Sequence, residues 1–572
     1  AAAFLVTDPS RARGLARALF AAAERAPQTA VEARAHAWRA RAEADMYSGR
    51  LPAARASYER ATQHAERSRA RQLLGEILVG RVHLLSLLGE GAEATRLAGK
   101  AERIFQRTGD RHYLAKLYIN RGNVHYQRDE YAQAEREYAK AVRQFEHLKL
   151  RDPSWAILLM NRAIACANLS RVDEAYALFL QCERECGRLG LQNVGAQASF
   201  NRASLAALRG DFRAALALLE SAGATFEQQG IADMVAAAQR ARAEIHLELG
   251  MTGEAAALAA EAAAGFARQQ LRLDETICRL AEARAKARRG DAAEAVPLLE
   301  KAADFFRRRR GRARQASTLV ELAWTRLEHE PAQAAVLARR ALRLVRTLPP
   351  TRVVSEARRA LAEALLRGTR PRAAQRALEP ALRSRGGQPG AEQMEVLLLA
   401  GRIARALGDV PGAERRLREA AGGLELQRRL IPGVELRARA FDAQVRIYHE
   451  LLDLELDRPR PRLDRLLALT RAGRAWAFRE RMAGPVVAAA HSSLEADRIL
   501  LGSLTRRLEE AELPEGKEPD PGAVRRLRNE VRAVEHRLTD RLRRAEPVPP
   551  RAGASRGRPS GRAGARPAKR GG

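Results

Sequence analysis

The sequence predicts an all-α protein: a solenoid of stacked helical hairpins, closed by a C-terminal helical hairpin and a disordered tail. Three observations carry this. A mostly small residue recurs at Ala42, Val82, Gly122, Ala163, Ala203, Ala243, Ala283, Leu322, Ala362 and Gly401, at steps of 39 to 41 residues. A glycine turn sits inside many of these repeats, at Gly49, Gly89, Gly210, Gly250, Gly290 and Gly408. Each half-repeat is rich in helix formers with apolar residues at i, i+3, i+4 and i+7, the spacing of a one-sided helix.

Each element follows from packing. In the segment starting at Leu114, Gly122 is followed by Ala134, Tyr138 and Ala141. Ala163, Ala175, Phe179 and Cys182 repeat that spacing, as do Ala203, Ala215, Leu219 and Ala222, and Ala283, Ala295, Leu299 and Ala302. The first helix needs a small residue where the second crosses it. The second needs alanines for close approach and one bulky residue to fill the gap. A single hairpin cannot bury its apolar face, so neighbours must stack. The array is assigned to residues 1–430 and a degenerate terminal repeat to 431–485. Pro459-Arg460-Pro461 breaks the helix there, and Leu469 to Gly484 reads as one more repeat-like helix. Residues 486–546 read as a hairpin of two amphipathic helices. Leu501, Leu504 and Leu508 form a coiled-coil-like stripe on the first, and Val524, Leu527, Val531, Val534, Leu538 and Leu542 form one on the second. Residues 547–572 hold seven Arg or Lys, no acid and few apolar side chains, and are expected to stay disordered.

The small–Ala–bulky–small spacing resembles the tetratricopeptide repeat (TPR) family, in a long form with a period near 40 residues in place of about 34. The match covers roughly 10–430. It departs from the family at Leu322, where a small residue is usual, and at Asp45 and Lys286, where an aromatic is usual. The resemblance implies a right-handed superhelix with a concave groove lined by the first helices. The order of array then hairpin also looks like the TPR arrays that precede a CHAT domain, a caspase-like peptidase module of bacterial proteins. Where that module would begin, the chain has the Pro/Gly/Arg-rich tail, and its last cysteine is Cys278. The resemblance therefore supports the architecture and not the catalysis.

Charge and cysteine usage exclude several classes. The net charge is +32, and of 101 basic residues 8 are lysine. The arginine and alanine excess is what GC-rich coding gives, so much of the charge is compositional. Aromatics, at 5%, are scarce for a base-stacking protein, and nucleic acid is not the expected partner. The four cysteines, Cys166, Cys182, Cys186 and Cys278, contain no CxxC pair and no neighbouring histidine to complete a zinc site. They stand at small-residue positions, where packing is the expected role. His125 and His246 share a repeat position and read the same way. No phosphate-binding glycine motif is present. No catalytic residue, cofactor, metal or small-molecule substrate is expected. Nor is a membrane span, and the opening AAAFLVTDPS does not read as a signal peptide, so a cytoplasmic location is expected.

Two features go beyond packing. Asparagine is scarce, seven in all, yet Asn120, Asn123, Asn161, Asn168 and Asn201 gather in the third to fifth repeats. Asn120, Asn161 and Asn201 share one register, two residues before the small position. In TPR proteins that register faces the groove. Asparagine is a poor helix former, so its repetition asks for a role. An amide pairs well with the backbone of an extended peptide. The alternative is a structural ladder between adjacent first helices. Lys116 and Tyr126 lie along the same face as Asn123, and Met160 and Phe200 precede two of the ladder asparagines as apolar contacts. The second feature is a row of arginines one position later: Arg41, Arg81, Arg121, Arg162, Arg202 and Arg242. Such a row either recognises carboxylates of an acidic partner or braces each repeat against the next.

The function expected from these features is non-catalytic: a scaffold or sensor that binds a protein or peptide segment in the groove. Two alternatives are the recognition part of a CHAT-type peptidase system and a nucleic-acid-binding basic solenoid.

Overall fold

A computed structural model describes residues 9–25, 31–346, 352–383, 391–430, 446–474, 488–514 and 518–545. Among the described residues there are 25 helices and no strand. The first ten are α1 (Pro9–Arg25), α2 (Val31–Met46), α3 (Leu51–Arg67), α4 (Arg71–Leu87), α5 (Gly91–Thr108), α6 (Arg111–Gln127), α7 (Tyr131–Leu148), α8 (Pro153–Asn168), α9 (Val172–Leu189) and α10 (Gln192–Leu208). They continue as α11 (Phe212–Gln228), α12 (Ala232–Glu248), α13 (Thr252–Arg268), α14 (Arg272–Arg289), α15 (Ala292–Arg308) and α16 (Arg312–Arg326). The array ends with α17 (Pro331–Leu344), α18 (Arg352–Arg367), α19 (Pro371–Arg383), α20 (Ala391–Ala406) and α21 (Val410–Leu430). From α2 onward the even-numbered helices carry the small position and the odd-numbered ones are their partners. Each helix packs on the next, and first helices also touch one another, as α4 touches α6 and α16 touches α18. This is the TPR-like α-solenoid that the period predicts.

Local chemistry sets the helix ends. Asp110, Asp152 and Asp211 each accept a hydrogen bond from a backbone N–H three residues on, capping α6, α8 and α11. The turn glycines Gly49, Gly89, Gly210, Gly250, Gly290 and Gly408 all take positive φ, between 63° and 97°, where glycine has no side chain to strain.

The small position works by close approach. A Cβ added at Gly122 would lie 2.3 Å from the Tyr138 ring, and one at Gly401 would lie 2.6 Å from Leu417. Both partners sit 16 residues later, on the second helix. Where the small position is instead Val82 or Leu322, the residue 16 positions on is alanine: Ala98 and Ala338, both fully buried. Total volume across the contact is thereby conserved, which close-packed interiors require. Leu322 is thus a compensated departure from the pattern. Asp45, a second departure, is buried but accepts a 2.6 Å hydrogen bond from Arg50, and the third, Lys286, donates to Glu294 at 2.6 Å.

Beyond the array, α22 (Arg446–Leu456) and α23 (Leu463–Arg474) follow on from α21. Ile447, Tyr448, Leu451 and Leu454 pack with Leu417 and Leu424. The chain leaves helix at Pro459–Pro461, as expected. The helix expected from Leu469 starts earlier, at Leu463, and its expected end falls in 475–487, outside the described residues. The tail, 546–572, also lies outside them.

The C-terminal hairpin is α24 (Ala488–Glu512) and α25 (Pro521–Ala545). Its core takes up the expected stripe, Leu501 and Leu504 against Leu527, Val534 and Leu538, and adds Leu494, which the stripe did not include; the Leu542 side chain lies outside the described residues. The hairpin docks on the array, a contact the sequence did not foretell. Ser503 donates to Ser170 at 3.0 Å, and Ile499 joins the core of α4 to α10. Gly502 comes close to the Leu208 carbonyl at the end of α10. On the late repeats, Arg314 donates to the carbonyls of Leu513 (2.7 Å) and Pro514 (3.1 Å). The Arg352 N–H, at the start of α18, donates to Glu512 at 2.9 Å.

Candidate functional site

Side chains of neighbouring first helices form a polar strip. On α2, α4 and α6, Arg39 pairs with Glu76, and Glu76 also accepts from the Tyr113 hydroxyl at 3.0 Å. Lys116 lies 5.3 Å from the Tyr113 ring centre. One turn further, Asn120 donates its amide to the Val79 carbonyl of α4 at 3.0 Å. Asn161 of α8 donates to Asn123 Oδ1 at 3.1 Å, and Tyr138 of α7 donates to the same oxygen at 2.7 Å. These side chains are part-exposed apart from Tyr138, which is buried.

The asparagines thus divide. Asn120 and Asn161 use their N–H groups as links between adjacent first helices, and among the described residues their amide oxygens have no hydrogen-bond partner. Asn201 shares the register but has no hydrogen bond among the described residues. It lacks the partner that Asn161 has: the residue matching Asn123 one repeat back is Ile164, which has no side-chain acceptor. Asn168 turns onto its own helix, donating to the Ile164 carbonyl at 2.9 Å. Tyr126 meets the Tyr131 ring edge-on, with centres 5.4 Å apart. Burial raises its pKa, Asn168 hydrogen-bonds it, and Glu510 of α24 faces it. The downstream end of the strip is therefore bordered by the chain's own C-terminal helix. Met160 and Phe200 stay partly buried, packed against the repeat core.

The arginine row is occupied within the fold. Arg81 reaches Glu93 at 3.3 Å. Arg121 bridges Glu102 at 2.8 Å and Glu137 at 2.6 Å, and Arg162 bridges Glu135 at 3.1 Å and Glu174 at 3.3 Å. Arg202 grips Glu183 at 2.7 Å and the Tyr176 hydroxyl at 3.1 Å. The acids sit on the flanking second helices, so these arginines have the geometry of struts. The ends of the row differ. Arg41 is only 3.9 Å from Asp45 and lies over the rings of Phe20 and Trp38. Arg242 has a buried Nε with no hydrogen-bond partner among the described residues.

All four thiols are buried, and three of them, Cys166, Cys182 and Cys278, are held in the protonated form. Burial pushes Cys166 up to about 11 and Cys278 up to about 12. The contact with Cys186, Sγ to Sγ 3.9 Å, and burial together push Cys182 far above the ordinary thiol range. Such thiols are poor nucleophiles. Glu135, Cys166 and Glu174 bring ligand-type atoms within 4.8 Å of one another. The two carboxylates there already face Arg162 and Arg171, which supply the countercharge a metal ion would otherwise bring. Among the described residues, no helix is long and apolar enough to cross a membrane.

No family model matches the chain, and no curated protein is similar to it. Among solved structures it is similar to the apo form of RapI, at 12% identity and a TM-score of 0.48, over 64% of this chain and 98% of that one. It is also similar to the apo quorum sensor NprR from B. thuringiensis, at 12% identity and a TM-score of 0.45, over 57% of this chain and 93% of that one. A third is aspartyl phosphate phosphatase F from Bacillus subtilis, at 12% identity and a TM-score of 0.40, over 60% of this chain and 91% of that one. All three likenesses are distant.

Proposed function

We propose that the protein is a non-catalytic interaction scaffold or sensor that receives a peptide segment of a partner along the inner face of its first helices. One observation carries this reading: the polar strip from Arg39 to Asn161 crosses four consecutive first helices, α2, α4, α6 and α8, and stays part-exposed along its length. Elsewhere those helices bury apolar side chains, such as Ile77 and Val82 of α4 and Leu117 and Val124 of α6. The unpaired amide oxygens of Asn161 and Asn201 follow Met160 and Phe200 in sequence and offer acceptors next to apolar contacts, the combination that holds a peptide backbone and reads its side chains. The arginine row supports this face from behind, and an acidic partner is not required by it.

The test uses the full chain and peptides selected from a random library. Lys116 and Asn201 are inner-face residues with no hydrogen bond or ion pair to the fold among the described residues. Lys116→Ala/Asn201→Ala should therefore keep the melting temperature and lower peptide affinity about tenfold, the loss of one or two hydrogen bonds. Unchanged affinity for every selected peptide would overturn the reading.

A further inference from the structure

The first repeat carries a set of side chains unlike the others. Glu43 follows the small Ala42 on α2, the position that Asn123 holds in the third repeat. There, the Tyr138 hydroxyl bonds to Asn123. The matching phenol in the first repeat is Tyr58, 1% exposed, and its hydroxyl has no hydrogen-bond partner among the described residues. A Cβ at Gly80 would stand 2.3 Å from that hydroxyl oxygen. The glycine on α4 is what lets the hydroxyl of an outer helix reach between α2 and α4. One turn beyond Glu43, Tyr47 is 45% exposed and meets the His83 ring edge to face, centres 6.1 Å apart at 71°.

The charge of Glu43 is paired only loosely. Arg39 is committed to Glu76, and its Nε lies 3.7 Å from the Glu43 carboxylate, too far for a hydrogen bond. Lys116 leans on the Tyr113 ring and is shared electrostatically with Asp152. Glu43 is left 22% exposed at its side chain, accepting no hydrogen bond among the described residues. Burial raises the Glu43 pKa against the pull of Arg39 and Lys116, and burial also lifts the Tyr58 and Tyr47 hydroxyls and lowers His83. His83 is thereby held neutral and does not repel a cation.

A desolvated carboxylate without a donor and a buried hydroxyl without a partner are each unfavourable alone. One group resolves both: a donor-rich cation placed between them, its face or edge against the aromatic pair. We propose that Glu43, Tyr47, Tyr58 and His83 form a pocket for a cationic side chain, arginine or lysine, of the bound peptide. This rests on the reading of the inner face as a peptide groove, and it gives the head of that groove a chemical preference. A guanidinium fits best, since its several N–H groups reach carboxylate and phenol oxygen together while its plane stacks.

The experiment starts from random-library peptides selected on the immobilised full chain, keeping those that lose affinity in the Lys116→Ala/Asn201→Ala variant. These should share one Arg or Lys position. Replacing it by Gln should weaken binding about tenfold, and comparing Arg with Lys at that position separates the two cations. Glu43→Gln should abolish the preference for a basic residue over Gln. Tyr58→Phe should weaken the basic peptide severalfold while leaving the melting temperature unchanged or higher, since it removes an unpaired buried hydroxyl. Inner-face peptides with no basic position, or a basic preference that survives Glu43→Gln, would overturn the pocket and leave the groove standing. If no selected peptide depends on Lys116 and Asn201, the groove and the pocket fail together.

Discussion

Ser503 of the C-terminal hairpin donates a hydrogen bond to Ser170 at 3.0 Å, joining positions 333 residues apart. Both residues are buried, and Arg507 reaches the same Ser170 hydroxyl at 3.3 Å. The contact fixes α24 against the turn between α8 and α9, while Arg314 and Arg352 hold its other end to α16 and α18. The hairpin thus ties early repeats to late ones that the linear stacking of a solenoid would never bring into contact.

Replacing both serines by cysteine should give an internal disulfide on mild oxidation, because the two oxygens already lie close to bonding range. Intact mass should show the loss of two hydrogens in a monomer, and the melting temperature should rise because the link closes a long loop. Two thiols that remain free to alkylation under those conditions would place the hairpin elsewhere.

Glycine at position 122 is a packing requirement, whereas Gly99, with nothing within 4 Å of an added Cβ, is not. Gly122→Ala should cost about 1–3 kcal/mol as Tyr138 is displaced. Gly99→Ala, inside α5, should stabilise by about 0.5–1 kcal/mol through helix propensity. Urea unfolding of the two variants checks the sign of each.

The arginine row should not behave uniformly. The Arg121 side chain is 15% exposed and serves two carboxylates; that of Arg41 is 49% exposed, with one carboxylate at 3.9 Å and two aromatic rings. Arg121→Ala should lower stability by roughly 2 kcal/mol, since it leaves two part-buried carboxylates short of a partner. Arg41→Ala should cost about 0.5 kcal/mol or less. Equal effects would show that the struts are not what the row contributes.

The asparagines should divide in the same way. Asn120→Ala and Asn161→Ala each remove a bond between repeats and should destabilise by about 0.5–1 kcal/mol, net of the gain in helix propensity. Asn201→Ala removes no such bond and should be neutral or slightly stabilising. Thermal melts of the three single variants separate the linking residues from the unbonded one.

The repeat was readable from sequence because stacking forces it: a hairpin can meet its neighbour only if small and bulky residues return at one spacing. The hairpin core was readable for the same reason, through its coiled-coil stripe. The docking of that hairpin was not, because it runs through two serine hydroxyls and the backbone carbonyls of Leu513 and Pro514, which leave no periodic trace. The register of Asn120, Asn161 and Asn201 was visible, but their different bonding was not. It depends on what the preceding repeat offers, Asn123 in one case and Ile164 in another. The Glu43 pocket was less legible, because glutamate in a helix asks for no special role, whereas scarce asparagine does. The signal was present in Tyr58, which shares the register of Tyr138 but faces no asparagine.

A peptide bound along the inner face of α2, α4, α6, α8 and α10 should be trapped there by cross-linking. Library-selected peptides carrying a photoreactive residue should be cross-linked to the full chain and the attachment points mapped by mass spectrometry. Cross-links are expected at inner-face positions such as Tyr47, Lys116, Asn123 and Met160. Cross-links confined to the second helices α3, α5, α7 and α9 would contradict this placement of the peptide.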